Sequence, residues 1–343
     1  MKVFADYHHI GLYQSLQLLF EKRLGWELYR PIGEDWATYG YWLIAQPYGN
    51  HPATIKQYLG IDSLPWEHYK NLNGNYVLED NIYHIYDPIN KSYQKAITLD
   101  TFKEMEFDII LSSYQPHDAT FAQLQRNYQP KAKHIAQMGN IFQTTEVKNV
   151  MCSTVPYPVP AGSNVVFYHQ EFDLDVFRYK EPENRINITN FVNLHPGVVQ
   201  YDQLKNSLPY HNFKSYGALC PDGTITGERN VAQLMSESVF GFHVKPRGDG
   251  FGHIIHNWYA CGRPVITNLS DYSDKLAGAL LIDNETCINL ESGTDSQNIS
   301  RIITASEPEM HNQMCLNAYM RFKEIVDFDT EFERIKMFLS NII

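Results

Sequence analysis

Lys245, Arg247, Gly250 and Gly252 fall within eight consecutive residues, a combination suited to holding an anion. Glycines at 250 and 252 remove side chains where a helix is predicted to begin. That leaves backbone N–H groups and the positive end of the helix dipole open to a group such as a diphosphate. Lys245 and Arg247 stand at the carboxyl end of the preceding strand, placed to neutralise the same phosphates. A lone G-x-G marks no more than a sharp loop and a capped helix, but two cations, two glycines and a polar helix face converging on one point are a more specific signal. On that helix His253 and Asn257 share one face at a spacing of four, while Ile254, Trp258 and Cys261 form the stripe predicted to be buried.

A second group lies near the amino terminus. His8, His9 and Gly11 follow the first predicted strand, where loops of an α/β sheet meet ligands. One imidazole near neutrality can take a proton from a hydroxyl, although a His pair in this place also reads as a polar turn or helix cap. His117, with Ser112, Ser113 and Gln115 beside it, follows the strand ending at Leu111 and has the same two readings.

The elements that must position these residues alternate. Lys2 to Ala5 is a short buried strand, Leu12 to Leu24 an amphipathic helix, and Trp26 to Pro31 the next strand. Gly33 to Tyr93 has poor periodicity; order returns with strands at Phe107 to Leu111, His134 to Gln137, Val147 to Cys152 and Val165 to Tyr168. After a proline-punctuated connector, strands at Ile186 to Val192, Asn212 to Tyr216 and Val239 to Val244 alternate with helices at Val199 to Leu208 and Arg229 to Ser236. This describes an α/β chain of two doubly wound, Rossmann-like domains facing across a cleft, with helices at the carboxyl end. The predicted divisions are 1–170, 171–325 and a last helix over 326–343 that packs back on the first domain.

A chain of 343 residues has room for two cores. Its formal charge of −11 argues against nucleic acid as a partner, because attraction to a phosphate backbone needs surplus Lys and Arg. The five cysteines are scattered without C-x-x-C spacing, which fits a reducing compartment. No stretch reaches the roughly 18 apolar residues of a membrane helix. The reading is a cytoplasmic protein with no transmembrane segment.

Asp249-Gly250-Phe251-Gly252, then Asn257, then Ala260-Cys261-Gly262-Arg263-Pro264-Val265 resemble the donor-site signature of the retaining GT-B glycosyltransferases, the group of glycogen synthase, sucrose synthase and the bacterial mannosyltransferases. That signature is E-G-F-G, a second Glu eight residues after the first, and A-C-G-x-P-V. Asp249 is one methylene shorter than the first acid, and Asn257 is uncharged where the second stands. Val166 to Phe177 is similar to the linker entering the second domain of these enzymes. The resemblance implies that Asp249 holds sugar hydroxyls, that Gly250, Phe251 and Gly252 approach the diphosphate and sugar, and that Asn257 holds the ribose. For the basic pair of the family, Lys245, Arg247 and Arg229 are the candidates, and Gly217 to Gly227 is the candidate loop for the base.

The implied activity is transfer of a sugar from a nucleotide-diphosphate donor to a carbohydrate or other hydroxyl acceptor. It needs no metal and no cofactor beyond the donor, and it retains configuration. If His8 or His9 is a base, as in the inverting branch, the outcome is inversion. Rival readings are a nucleotide-sugar epimerase, a non-catalytic binding protein of the same fold, and a DNA-base glycosyltransferase, the last opposed by the net charge.

Overall fold

The computed structural model describes residues 1–6, 10–32, 36, 76–87, 92–113, 115–140, 144–154, 159–183, 186–192, 197–217, 219–225 and 227–343. The chain forms two compact units. The first comprises Met1–Ser153, Tyr157–Phe172 and Phe328–Ile343; the second comprises Thr154–Pro156 and Asp173–Asp327.

The first unit is built on β1 (Lys2–Ala5), whose Val3, Phe4 and Ala5 are fully buried. Such a strand lies between two parallel neighbours, because both of its faces are covered. Those neighbours are β2 (Glu27–Pro31) and β6 (Ile109–Ser112), with Val3 level with Leu28 on one side and Ile109 on the other. Beyond β6 come β7 (Lys133–Met138), β8 (Asn149–Cys152) and β9 (Asn164–Phe167), all parallel. The other edge departs from the expected all-parallel winding. Here β3 (Tyr76–Glu79), β4 (Ile82–Asp87) and β5 (Ser92–Ile97) pair antiparallel, and β5 joins β2 in parallel. The β3–β4 turn carries Asp80 and Asn81 at φ 49° and 63°, the left-handed pair that a tight hairpin demands.

The helix expected over Leu12 to Leu24 is α1 (Ile10–Leu16) running into a π-helical stretch, Gln17–Arg23. There Leu24 N–H reaches Leu19 O at 3.1 Å, and the wider turn keeps both Leu19 and Phe20 buried. Among the described residues that follow are the helices α2 (Leu99–Glu104) and α3 (Gln115–Tyr128).

In the second unit β10 (Asn187–Asn190), α4 (Val198–Ser207), β11 (Asn212–Ser215), α5 (Glu228–Ser236), β12 (Phe240–Phe242), α6 (His253–Ala260), β13 (Val265–Thr267) and β14 (Cys287–Asn289) follow in order. The five strands are parallel, in the order β11-β10-β12-β13-β14. Winding therefore reverses between β10 and β12. In a doubly wound sheet that reversal opens a crevice outside the carboxyl ends of those two strands. Two helices, α7 (Asp295–Ser306) and α8 (Pro308–Ile325), follow the sheet.

The last helix, α9 (Phe328–Ile342), belongs to the first unit, where Ile335, Phe338, Leu339 and Ile342 join the core around β1. Glu331 fastens it: its carboxylate accepts the His169 backbone N–H at 2.7 Å and pairs with His169 Nδ1 at 2.6 Å. Arg23 bonds both Glu171 and Asp329, at 2.7 and 2.8 Å. Among the described residues no helix is long and apolar enough to cross a membrane, and the five cysteines are buried thiols, none of them in a disulfide.

Candidate functional site

The loop from β12 to α6 stands at the carboxyl edge of the second sheet, next to the reversal of winding. His243 opens it. Its backbone is tied to β13 on both sides, donating to Ile266 O at 2.9 Å and accepting from Thr267 Oγ1 at 2.6 Å. Gly248 N–H closes a turn onto Lys245 O at 2.7 Å, and Arg247 and Gly248 both take left-handed backbone, at φ 67° and 64°. Asp271 holds the outside of this turn by accepting the Arg247 backbone N–H at 2.7 Å. The Arg247 side chain is left exposed.

Asp249 then turns inward. Its Oδ2 faces His243 Nε2 at 3.1 Å, and its Oδ1 pairs with the Lys245 ammonium. Burial works to raise the Asp249 carboxyl, but the His243 imidazole and the Lys245 ammonium outweigh it and hold the group well below the ordinary carboxylate range. His243 is fully buried, and its Nδ1 has no partner among the described residues. His243 is not among the residues singled out above; its signal in the sequence is a His inside the apolar run Phe240-Gly241-Phe242-His243-Val244.

Gly252 caps α6 in left-handed backbone at φ 81°, a conformation that L side chains rarely adopt. Gly250 does not share that geometry. No side chain caps the helix, so its amino end presents peptide dipoles rather than a protein carboxylate. Phe251 is buried and stacks on His256 at 4.2 Å between ring centroids, while His253 stays half-buried.

From Ile255 to Ala260 every residue of α6 is buried. The expected division into a polar and an apolar face is therefore replaced by a helix covered nearly all round, with α8 packed against it. Ile254 is only half-buried. Asn257 is 8% exposed and its Oδ1 has no partner among the described residues, leaving a buried acceptor for an O–H or N–H donor.

The Ala260 to Val265 turn follows from helix-end chemistry. Gly262 N–H bonds Tyr259 O and Arg263 N–H bonds Trp258 O, at 2.9 and 2.8 Å, with Gly262 at φ 66°. This is a Schellman closure, and Pro264 then stops the helix from continuing. Arg263 is fully buried; its guanidinium donates to the carbonyls of Lys180, Ser236, Cys261 and Gly262.

At the neighbouring strand ends, Asn190 bonds Ser215 Oγ at 2.9 Å, and Asp222 accepts the Ser215 backbone N–H at 2.7 Å. The Pro221-Asp222-Gly223 loop thus folds onto its own strand. Arg229 is exposed on the first turn of α5, at the same edge of the sheet.

In the first unit, His8 and His9 lie outside the described residues, and Gly11 is in the first turn of α1, half-buried. His117 is in the first turn of α3, which begins at Gln115, and not in a loop after the strand ending at Leu111 as the sequence suggests. Ser112 is buried, donates to Asp118 Oδ1 at 2.6 Å and meets His134 Nε2 at 2.9 Å. Thr145 donates to the other Asp118 oxygen at 2.5 Å. Burial pushes the His134 imidazole down to about 4, so it is neutral near pH 7. These bonds fix α3 to the 144–149 segment beside a cavity of about 540 Å³.

No family model matches the chain, and no curated protein matches it by sequence. Solved structures do match along its whole length. HepE of Anabaena in complex with UDP-glucose is 13% identical, with 99% of this chain and 100% of that one covered and a TM-score of 0.62. An α-glucosyltransferase in complex with UDP-glucose and DNA is 10% identical over 99% and 98%, with a TM-score of 0.57. A glycosyltransferase from Rickettsia africae is 12% identical over 99% and 98%, with a TM-score of 0.60. The fold is that of the GT-B glycosyltransferases.

Proposed function

We propose that this protein is a glycosyltransferase that takes a sugar from a nucleoside-diphosphate donor bound on the β12–α6 loop and passes it to a carbohydrate or other hydroxyl acceptor. The observation that carries the reading is the cluster of Lys245, Asp249 and the amino end of α6, which no side chain caps, at the reversal of winding between β10 and β12. A helix dipole and a lysine beside the leaving diphosphate stabilise the negative charge that grows as the glycosidic bond breaks. In this reading the reaction needs no metal. Arg247 and Arg229, both exposed near that edge, supply further positive charge. Asp249 holds sugar hydroxyls, and Asn257 offers its buried Oδ1 to a ribose hydroxyl.

Uridine is the first base to test, since structures of HepE and of the α-glucosyltransferase contain UDP-glucose. Retention of configuration is the proposed outcome, on the resemblance of the Asp249 to Val265 stretch to retaining enzymes. His8, His9 and His117 are the proposed acceptor-side groups. The net charge of −11 favours an uncharged hydroxyl acceptor over a DNA duplex.

The experiment is thermal stabilisation by UDP, GDP, ADP and their sugars, with a Lys245→Ala/Arg247→Ala protein in parallel. One nucleotide is expected to raise the wild-type midpoint, because a ligand that binds only the folded state stabilises it, and to lose that effect in the double variant. No shift with any nucleotide removes the proposal at its base. Turnover that persists in a metal chelator, with the anomer read by NMR, then tests metal independence and retention.

A further inference from the structure

The two oxygens of Asp249 are held by partners of unlike burial. Lys245 is a long side chain, 37% exposed, on the outer part of the loop; His243 is fully buried at the end of β12. The His243 backbone is already fixed by Ile266 and Thr267 of β13, so its ring is not needed to secure the strand end. An apolar side chain would fill the same buried space without stranding Nδ1, which has no partner among the described residues. What the imidazole supplies that an apolar group does not is the 3.1 Å contact to Asp249.

We propose that His243 is a positioning residue for Asp249, and that Lys245 is an exchangeable counterion shared between Asp249 and the donor diphosphate. The inference rests on the donor-site reading. Without ligand, Lys245 pairs with Asp249 across the loop. When a diphosphate arrives, the ammonium turns to the phosphates, where the negative charge is greater. Asp249 then keeps its orientation through His243 alone and meets the sugar with one oxygen already aligned. The division of labour predicts that the two partners affect different parts of the donor: Lys245 the phosphates, His243 the sugar.

The test compares affinity for a bare nucleoside diphosphate with affinity for the corresponding nucleotide sugar, by calorimetric titration of full-length wild type, His243→Leu, His243→Gln and Lys245→Met. His243→Leu is expected to hold the bare diphosphate within about twofold of wild type and to bind the nucleotide sugar at least about tenfold more weakly. His243→Gln, whose amide N–H reaches a similar point, is expected to recover most of that loss. Lys245→Met is expected to weaken both ligands by the same factor. Equal losses for both ligands in His243→Leu, no loss for either, or failure of Gln to rescue would each overturn the assignment.

Should the Leu variant not fold, nitrogen-15 spectra of the wild-type imidazole decide the matter. Nε2 is expected to keep its proton and its hydrogen-bonded shift at saturating nucleotide sugar, and loss of that bond on binding sinks the proposal. Wild-type protein that binds none of UDP, GDP and ADP or their sugars overturns the donor-site reading itself, and does so before any variant is made.

Discussion

A carboxylate that is partly withdrawn from water and still charged has its partners to thank, and at Asp249 these are His243 and Lys245. Desolvation opposes the charge, yet the net effect holds the folded-state carboxyl below its ordinary range. The sign of the pH effect follows. Stability from this ionised group is fully present above the unfolded value of about 3.9 and is lost as pH falls through the folded value. Asp249→Asn is therefore expected to lower stability by about 1–3 kcal/mol at pH 7, with the gap to wild type beginning to narrow below about pH 4 and closing only as pH falls through the lower folded value. Urea midpoints at pH 7, 5 and 3.5 check this; a gap of constant size down to the lowest pH would show that the charge of Asp249 contributes nothing.

Between β12 and β13 the helix α6 is held at both ends by backbone chemistry, and its carboxyl end depends on one buried cation. Arg263 donates to carbonyls at the ends of α5 and α6, Ser236 and Cys261 among them. Carbonyls at a helix end carry partial negative charge and lack intrahelical donors, so removing the guanidinium strands several at once. Arg263→Met is expected to cost about 2–4 kcal/mol, read as a lowered urea midpoint, whereas an unchanged midpoint would mean that water replaces the guanidinium. This turn was legible in the sequence because Gly262 and Pro264 are the residues that stop a helix. β1, β6 and β12 were legible because strands buried on both faces read as apolar runs. The β3–β4 hairpin was not: Val77 and Leu78 are both exposed, which erases the alternation that marks a strand. The π-helical turn over Gln17–Arg23 escaped because Leu16, Leu19 and Phe20 suit an α-helical stripe equally well. Nor does any periodic pattern link His243 to Asp249, six residues along an irregular loop.

Each unit closes a core of its own, one around Phe4, Phe102, Phe121 and Leu339, the other around Ile188, Tyr201, Phe242 and Ile266. Each thus has the means to melt as a separate cooperative transition. Two perturbations address them separately. Glu331 is 5% exposed and accepts both the backbone N–H and the ring nitrogen of His169, entirely within the first unit. Glu331→Ala strands the His169 backbone donor and loosens α9 from the core, at a cost of about 2–4 kcal/mol. A nucleotide bound on the β12–α6 loop, as proposed, would instead stabilise the second unit, by about 2.7 kcal/mol at one hundred times its Kd. Scanning calorimetry of wild type and Glu331→Ala, each with and without nucleotide, is expected to show two transitions, the variant lowering one and the ligand raising the other. A single transition that moves with both perturbations would mean that the two cores melt as one body.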